Sequence, residues 1–329
     1  MPHTQRRVLL ADRLHAALQA PGDRELRALA DELPTSPADR FRCLREVYRL
    51  HFAPLHEVGS AARWQHHPVV AELKSRCEAA WITELDASVE VPALPTPGDV
   101  VPALRRLAAA DRLPPLYRWL ARDADREQLD QFLRWEGGPD GGFDDLVAIC
   151  QVGLAGRAKI ELARNYWDEM GNGDLEQVHT ILHDDLVRAM DLADAAASSD
   201  DSEPVSGMAR GCLGGMLASN RWLQPEMLGA LGLIELQAGP RCRLVMQGLA
   251  RLGAPAAAFP FYRVHAEVDP RHGADWLEEA IAPVVEEHLD WANRILRGAF
   301  WRSYTNAAFL AEITPLLREP TLATAPNAA

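Results

Sequence analysis

Residues 261–272 read Phe261-Tyr262-Arg263-Val264-His265-Ala266-Glu267-Val268-Asp269-Pro270-Arg271-His272. Within this stretch, Asp269 follows His265 by four residues and His272 follows it by seven. Residues spaced in this way lie on one face of an α-helix. Two imidazoles and a carboxylate on one face are suitable ligands for a first-row transition metal. Such triplets also occur by chance on surface helices, so the rest of the chain must decide between a metal site and a solvated face.

A proline interrupts this stretch between Asp269 and His272. Inside a helix, Pro270 would remove one main-chain hydrogen bond and cost ~3 kcal/mol. Alternatively, Asp269 could cap a new helix with Pro270 at its first position, and His265 would then lie in a preceding turn. We expect a kinked but continuous helix, which keeps the three side chains on one face.

The composition indicates a large protein that neither spans a membrane nor binds nucleic acid. With 329 residues, of which 48% are hydrophobic, the chain can bury a large core, and no apolar run approaches the ~20 residues that a span needs. The net charge of −13 is not offset by a basic stripe. The five cysteines are scattered and form no Cys-x-x-Cys motif. We therefore expect reduced thiols, a cytoplasmic location and no nucleic-acid or membrane partner.

Nearly every segment has helical periodicity, and alternating period-2 runs are almost absent. The predicted fold class is therefore all-α. Four amphipathic helices are predicted near the N-terminus, at about residues 4–19, 24–32, 38–52 and 68–85. A longer helix is predicted at about residues 142–170.

The Pro-rich stretch at residues 89–100 is the best candidate for a domain boundary. We expect an N-terminal helical region, residues 1–100, and a second helical domain that carries the chemistry, residues 101–318. Residues 319–329 should form a disordered tail. The polar segment from Ala195 to Ser206 is predicted to be a mobile loop.

Glu169 and His179 flank a glycine-containing turn. Asp174 should start the next helix and place His179 in its second turn, so that Glu169 and His179 lie on the same side. An acid at a helix C-terminus is unfavourable by ~0.3–1 kcal/mol, which favours a compensating cation. An exposed acid and a surface histidine are the alternative, and His183, one turn on, is a rival to His179.

Glu235 is the acid within an otherwise apolar segment, residues 228–238. A lone buried carboxylate costs several kcal/mol unless it is paired or metal-bound. The alternative to a metal is a salt bridge to Arg241 or Arg243, just beyond the Gly239-Pro240 break. We favour metal binding over the salt bridge.

These residues provide two carboxylates and a histidine upstream of the His/Asp/His helix. Helical bundles build dinuclear iron or manganese sites from carboxylate-rich shells on facing helices. The usual ferritin-like version needs two Glu-x-x-His motifs, whereas this chain has one, Glu176 to His179.

The order of the residues instead resembles that of the heme-oxygenase-like di-iron oxidases and oxygenases, also called iron-containing redox enzymes. The resemblance covers about residues 125–310, and residues 161–173 look like that family's entry into the site. It implies an all-α, heme-oxygenase-like bundle with additional N-terminal helices, in which residues 101–318 form the di-iron domain. The metal ligands that it implies are Glu169, His179, Glu235, His265, Asp269 and His272.

The resemblance also implies the chemistry. The cofactor would be two non-haem Fe(II) ions, with O2 as co-substrate, an external electron donor and a small amino-acid-like substrate. Some similar proteins N-oxygenate amines or guanidines and are thought to use an extra carboxylate, for which Glu136 is the candidate here. An exposed acid before a glycine C-cap would explain Glu136 equally well. We expect N-oxygenation in specialised metabolism, and the alternative is desaturation or C–C cleavage of an amino or fatty acid.

Three other functions would make different demands on these residues. A metal-free helical scaffold would need none of these ligands. A haem-binding oxygenase would need one axial histidine rather than a carboxylate-rich set. A terpene cyclase is excluded, because neither Asp144-Asp145 nor Asp184-Asp185 is followed by the third aspartate of an aspartate-rich motif.

The sequence does not identify the substrate. Arg241, Arg243 and Arg263 are candidates for holding a substrate carboxylate by bidentate pairing, although most such arginines are surface residues. The N-terminal helices could form a homodimer interface or a lid.

Overall fold

The computed structural model describes residues 8–140, 142–192 and 203–319. All regular structure in these ranges is helical, which confirms the all-α prediction. Most of the predicted loop, residues 195–202, and nearly all of the predicted tail, residues 320–329, lie outside the described residues.

The helices follow one another closely along the chain. The α-helices are α1 (Leu10–Gln19), α2 (Arg24–Arg27), α3 (Pro37–Phe52), α4 (Leu55–Val58), α5 (Pro68–Ser88), α6 (Val100–Ala110), α7 (Pro115–Arg122), α8 (Arg126–Asp140), α9 (Phe143–Cys150), α10 (Gly156–Glu169), α11 (His179–Ala189), α12 (Val205–Ser219), α13 (Gln224–Arg251), α14 (Pro260–Asp275), α15 (Ala282–Glu287) and α16 (Trp291–Arg318). Short 3-10 helices lie at Gly59–Trp64, Pro97–Asp99, Gly171–Gly173, Leu175–Gln177, Arg221–Leu223 and Ala256–Ala258, and a π-helical turn, Trp276–Ile281, joins α14 to α15.

The four predicted N-terminal helices are present, and α2 is shorter than predicted. It ends at Arg27, and the chain turns before Asp31, which has a positive φ of 68°. Ser36 caps α3 through its side chain, which accepts a hydrogen bond from the Asp39 main chain.

The prediction of one long helix at residues 142–170 is wrong, because two helices, α9 and α10, occupy this range. The break contains Gly153, with φ of 86°, and α10 begins at Gly156, with φ of 58°. Residues with side chains rarely adopt such φ angles, so these glycines permit the turn. The apolar periodicity runs through both helices and therefore does not reveal the break.

Helix α13 forms the centre of the bundle and packs against α14, α16 and α7. It contacts α16 backbone to backbone, since a Cβ atom on Gly229 would overlap the Ile295 carbonyl and one on Gly298 would overlap the Glu226 carbonyl. Glycines therefore allow α13 and α16 to pack at close range.

The N-terminal helices pack directly on the second part of the chain. Helix α3 lies along α12, where the Tyr48 ring covers Gly215. The Tyr48 hydroxyl donates to Glu78 on α5 at 2.7 Å, and the Asn220 amide donates to the same carboxylate. The two parts therefore share a hydrophobic core, while a second core lies within residues 116–317. Their division into separate domains at residues 89–100 stays a prediction.

All five cysteines are free and buried, as expected for reduced thiols. In the part of the chain that the structure describes, none of the helices combines the length and the apolar character that crossing a bilayer requires.

Candidate metal centre

Helix α14 continues through Pro270, which confirms the prediction of one uninterrupted helix. Because Pro270 has no N–H, the Ala266 carbonyl lacks its usual helical donor. Arg243 Nη1 on α13 donates to this carbonyl at 2.6 Å. This hydrogen bond offsets part of the free energy that Pro270 costs the helix. Arg243 therefore stabilises the backbone of α14.

The first group of potential ligands consists of Glu169, His179 and His265, whose ligand atoms lie within 4.8 Å of one another. Glu169 ends α10, and its Oε2 lies 2.8 Å from His179 Nδ1. The predicted proximity of these two residues is confirmed, but His179 is the first residue of α11 and not in its second turn. The preceding residues form a 3-10 turn, in which Asp174 caps the main chain of Glu176.

His265 is oriented by the main chain of its own helix. Its Nδ1 lies 2.6 Å from the Phe261 carbonyl. Since a carbonyl can only accept, Nδ1 carries the proton and Nε2 keeps a lone pair. Burial lowers the pKa of His265, so its ring is neutral at pH 7 and able to bind a metal.

The second group consists of Glu169, Glu235 and His272, again with ligand atoms within 4.8 Å of one another. Glu235 is 3% exposed, and its Oε1 accepts a hydrogen bond from Asn165 at 2.7 Å. The alternative of a salt bridge to Arg241 or Arg243 is wrong. Arg241 pairs with Asp111 at 3.2 Å, and Arg243 donates to the Ala266 carbonyl.

His272 contacts a carboxylate through each ring nitrogen. Its Nε2 lies 2.7 Å from Asp168 Oδ2, which also accepts from Arg271, and its Nδ1 lies 3.7 Å from Glu235 Oε2. Burial opposes protonation, but the negative charge of Glu235 and the hydrogen bond to Asp168 raise the pKa of His272 to about 9 in the metal-free protein. Carboxylates in the position of Asp168 orient metal-binding histidines. Asp168 could not be identified from the sequence, because its position beside Glu169 does not indicate a contact with α14.

The unpaired polar atoms of this region fit a bound cation. Asp269 Oδ2 and His272 Nδ1 are buried and make no hydrogen bond. Burial, together with the charges of Glu235 and Glu169, raises the pKa of Asp269 well above its ordinary value. A cation would relieve the repulsion among these three carboxylates, and a mixed set of oxygen and imidazole ligands suits iron.

Glu136 and His183 lie near this centre but belong to neither ligand group. Glu136 lines the same cavity, and its Oε1 accepts a hydrogen bond from Tyr117 at 2.6 Å. Its role as a seventh ligand stays a prediction. His183 packs against Phe261, with ring centroids 5.1 Å apart, so the geometry favours His179 over its rival.

Most of the candidate ligands open onto one cavity of about 330 Å³, which is large enough for a small metabolite. Three arginines also line it: Arg210, Arg241 and Arg302. Arg263, which the sequence suggested as a substrate contact, is exposed and lies outside this lining. Arg210 and Arg302 could not be identified from the sequence, because only the packing of separate helices buries them.

Comparison with known proteins agrees with the geometry. A family model described as iron-containing redox enzyme matches residues 131–306, a range that contains every member of both ligand groups. No curated protein shows significant similarity to the chain. The match also confirms the heme-oxygenase-like fold that the resemblance implied, with the N-terminal helices as an addition to it. The chain therefore belongs to the iron-containing redox enzyme family, and it is an oxidoreductase.

Proposed function

We propose that this protein is a non-haem di-iron oxygenase that uses O2 to oxidise a small amino-acid-like substrate. The observation that carries the proposal is that Glu169 belongs to both groups of ligand atoms. A shared carboxylate between two groups of ligands is how helical bundles hold two metal ions close together. In this proposal, His179 and His265 bind one iron, Glu235 and His272 bind the other, and Asp269 supplies a further carboxylate.

The bound irons would supply the electrons that activate O2, and an external donor would replace them. The side chains divide the remaining work. Carboxylates can change between bridging and terminal binding, while the imidazoles stay in place because Phe261 and Asp168 orient His265 and His272. The three buried carboxylates would balance the charge of the metal ions inside the bundle.

The proposed reaction is N-oxygenation of an amine or guanidine, in a pathway of specialised metabolism. Its support is the set of polar side chains that line the cavity beyond the ligands, above all the carboxylate of Glu136. In this proposal Glu136 would serve as an additional ligand or as a partner for the substrate nitrogen. The free, buried cysteines support a cytoplasmic location as part of the same proposal.

Desaturation or C–C cleavage is the second candidate reaction, and the apolar part of the cavity favours it. Ile234, Val245 and Phe261 line the cavity and would pack against an aliphatic chain. The two reactions differ in their products. With ¹⁸O2, N-oxygenation gives a product with labelled oxygen on nitrogen, whereas desaturation gives an alkene and cleavage a shortened chain.

The donor set favours non-haem iron over haem. A haem group in this cavity would meet the buried carboxylates Glu169, Glu235 and Asp269, whose charges suit a metal ion better than a macrocycle. A haem protein would have a Soret band, and the proposal predicts none after iron loading.

The proposed function is tested by loading the protein anaerobically with Fe(II) and mixing it rapidly with O2. We expect a transient visible absorption that forms with O2 and decays, and its decay should accelerate with the correct amino-acid substrate. A folded protein that binds no iron, or one whose bound iron does not react with O2, would rule out the proposal.

A further inference from the structure

The cavity has a second polar wall, formed by helices that carry none of the candidate ligands. Arg210 lies on α12, whereas Arg302 and Asn306 lie one turn apart on α16. All three residues line the cavity and are largely buried, with exposures of 2%, 8% and 2%. We call these three residues the arginine wall.

Asn306 presents an unsatisfied donor at this wall. Its Oδ1 accepts from Arg210 Nη1 at 3.4 Å. Because a guanidinium can only donate, this contact fixes the orientation of the amide and turns Nδ2 away from Arg210. Nδ2 is buried and has no hydrogen-bond partner. A buried donor without a partner is unfavourable, and an acceptor on a bound ligand would remove that penalty.

Arg210 is held rigidly at the same place. Its Nη2 donates to the main-chain carbonyl of Glu136 at 2.7 Å, and its guanidinium lies 4.3 Å from the centre of the Phe309 ring. A guanidinium fixed in this way loses little freedom when it binds a ligand, and its planar shape matches a carboxylate.

We infer that the arginine wall binds the carboxylate of the substrate. Arg210 and Arg302 provide positive charge and N–H donors, and Asn306 provides a further N–H donor. The metal-binding side of the cavity has three buried carboxylates, Glu169, Glu235 and Asp269, which would repel a carboxylate group. The charges of the two sides therefore orient an amino-acid-like substrate with its carboxylate away from the metal ligands.

This orientation determines which end of the substrate reacts. The carboxylate and the carbon next to it are held on α12 and α16, so the far end of the molecule reaches the ligands on α10, α11 and α14. The reacting group is then a side-chain amine or guanidine. The inference rests on the proposed function, since it describes the substrate of the same cavity. Of the arginines that the sequence suggested as carboxylate contacts, Arg241 pairs with Asp111, Arg243 donates to the Ala266 carbonyl and Arg263 lies outside the cavity lining.

The test compares ligands that differ only in the carboxylate: L-arginine with agmatine, and L-lysine with cadaverine. Affinities are measured by calorimetry, and the thermal unfolding midpoint is followed, with iron-free protein and with protein loaded anaerobically with Fe(II). We expect each amino acid to bind at least about tenfold more tightly than its decarboxylated amine and to raise the midpoint further.

Two variants assign the preference to the arginine wall. Asn306→Asp places a carboxylate beside Arg210, so the protein should stay folded while the substrate carboxylate is repelled. Arg302→Gln removes a positive charge from the cavity. Both variants should lose the preference for the amino acids. Arg318→Gln, the same change on an exposed part of α16, should keep it.

The inference is overturned if both members of each pair bind equally, or if neither amino acid binds or stabilises the folded protein. It is also overturned if Asn306→Asp and Arg302→Gln keep the wild-type preference. Iron loading is measured separately in the same samples. If the protein binds iron but shows no carboxylate preference, this inference is rejected and the proposed function stands. If the protein shows the preference but binds no iron, the proposed function is rejected and this inference stands.

Discussion

His272 depends on a neighbour that does not bind the proposed metal. Asp168 accepts from its Nε2 at 2.7 Å, which leaves Nδ1 directed to Glu235. We predict that Asp168→Ala lowers the Fe(II) affinity about 10–100-fold, because the ring loses its fixed orientation and tautomer. Asp168→Asn can still accept a hydrogen bond and should lose less. Anaerobic Fe(II) titration measures both effects, and wild-type affinity in Asp168→Ala would show that the contact does not position the ring.

The pKa of His272 also predicts how the stability of the metal-free protein responds to pH. The pKa of His272 is raised from 6.5 to about 9 in the folded state, so its stabilising effect is complete below pH 6.5 and is lost as the pH rises through 9. The raised pKa of Asp269 acts in the same direction, since stability is lost as the pH rises above its ordinary value. The His272 contribution to the free energy of unfolding should fall by about 3 kcal/mol between pH 6.5 and 9.

Urea denaturation in the presence of a chelator, at a series of pH values, measures this slope. His272→Gln should remove most of it, whereas His288→Gln, a change of an exposed histidine outside the ligand groups, should leave it unchanged. A flat profile for the wild-type protein would contradict the assignment of a raised pKa to His272.

At the scale of elements, the contact between α13 and α14 determines whether α14 can carry its three ligands. Arg243 donates to the Ala266 carbonyl, which Pro270 leaves without its helical donor. Arg243→Met should destabilise the protein by about 1–3 kcal/mol, because a polar group loses its partner. In a Pro270→Ala background the main-chain N–H at position 270 can donate to the Ala266 carbonyl. Arg243→Met should therefore cost about 1 kcal/mol less in that background.

A double-mutant cycle of Arg243→Met and Pro270→Ala, followed by chemical denaturation, gives this coupling. Additive effects of the two changes would mean that Arg243 does not compensate for the proline.

The elements also show which parts of the site could be predicted from the sequence. The ligands of α14 were predictable because one helix fixes the spacing of His265, Asp269 and His272. Glu235 was predictable because an acid in an apolar segment needs a partner. The break between α9 and α10 was not predictable, because it depends on positive φ angles at Gly153 and Gly156 rather than on hydrophobic periodicity.

Contacts between distant helices were the least predictable. Arg210 and Asn306 are 96 residues apart, and nothing local to either indicates that they meet at one cavity wall. Asp168 likewise meets His272 across 104 residues. Such pairs are created by the packing of the helices, which one sequence does not encode in any local pattern.

For the whole molecule, the N-terminal helices share a hydrophobic core with α12, α13 and α16. Helix α3 covers α12, the helix that carries Arg210, and Tyr48 lies against Gly215. We predict that removing residues 1–100 exposes this face and abolishes cooperative unfolding, because large apolar side chains lose their partners. Removing residues 320–329 should leave unfolding unchanged.

Circular dichroism during thermal unfolding and size-exclusion chromatography of the two truncated proteins test this prediction. A monomeric, cooperatively folded protein without residues 1–100 that still binds iron would contradict it, and would support the division at residues 89–100.

The measurement that tests the central claim most directly is the number of Fe(II) ions bound per chain under anaerobic conditions. Because Glu169 belongs to both ligand groups, the wild-type protein should bind two ions, and Glu169→Gln should bind fewer than one. Glu161→Gln, the same change at another buried acid of α10 outside the ligand groups, should bind two. One ion or none in the folded wild-type protein, or two in Glu169→Gln, would contradict a di-iron centre that shares Glu169.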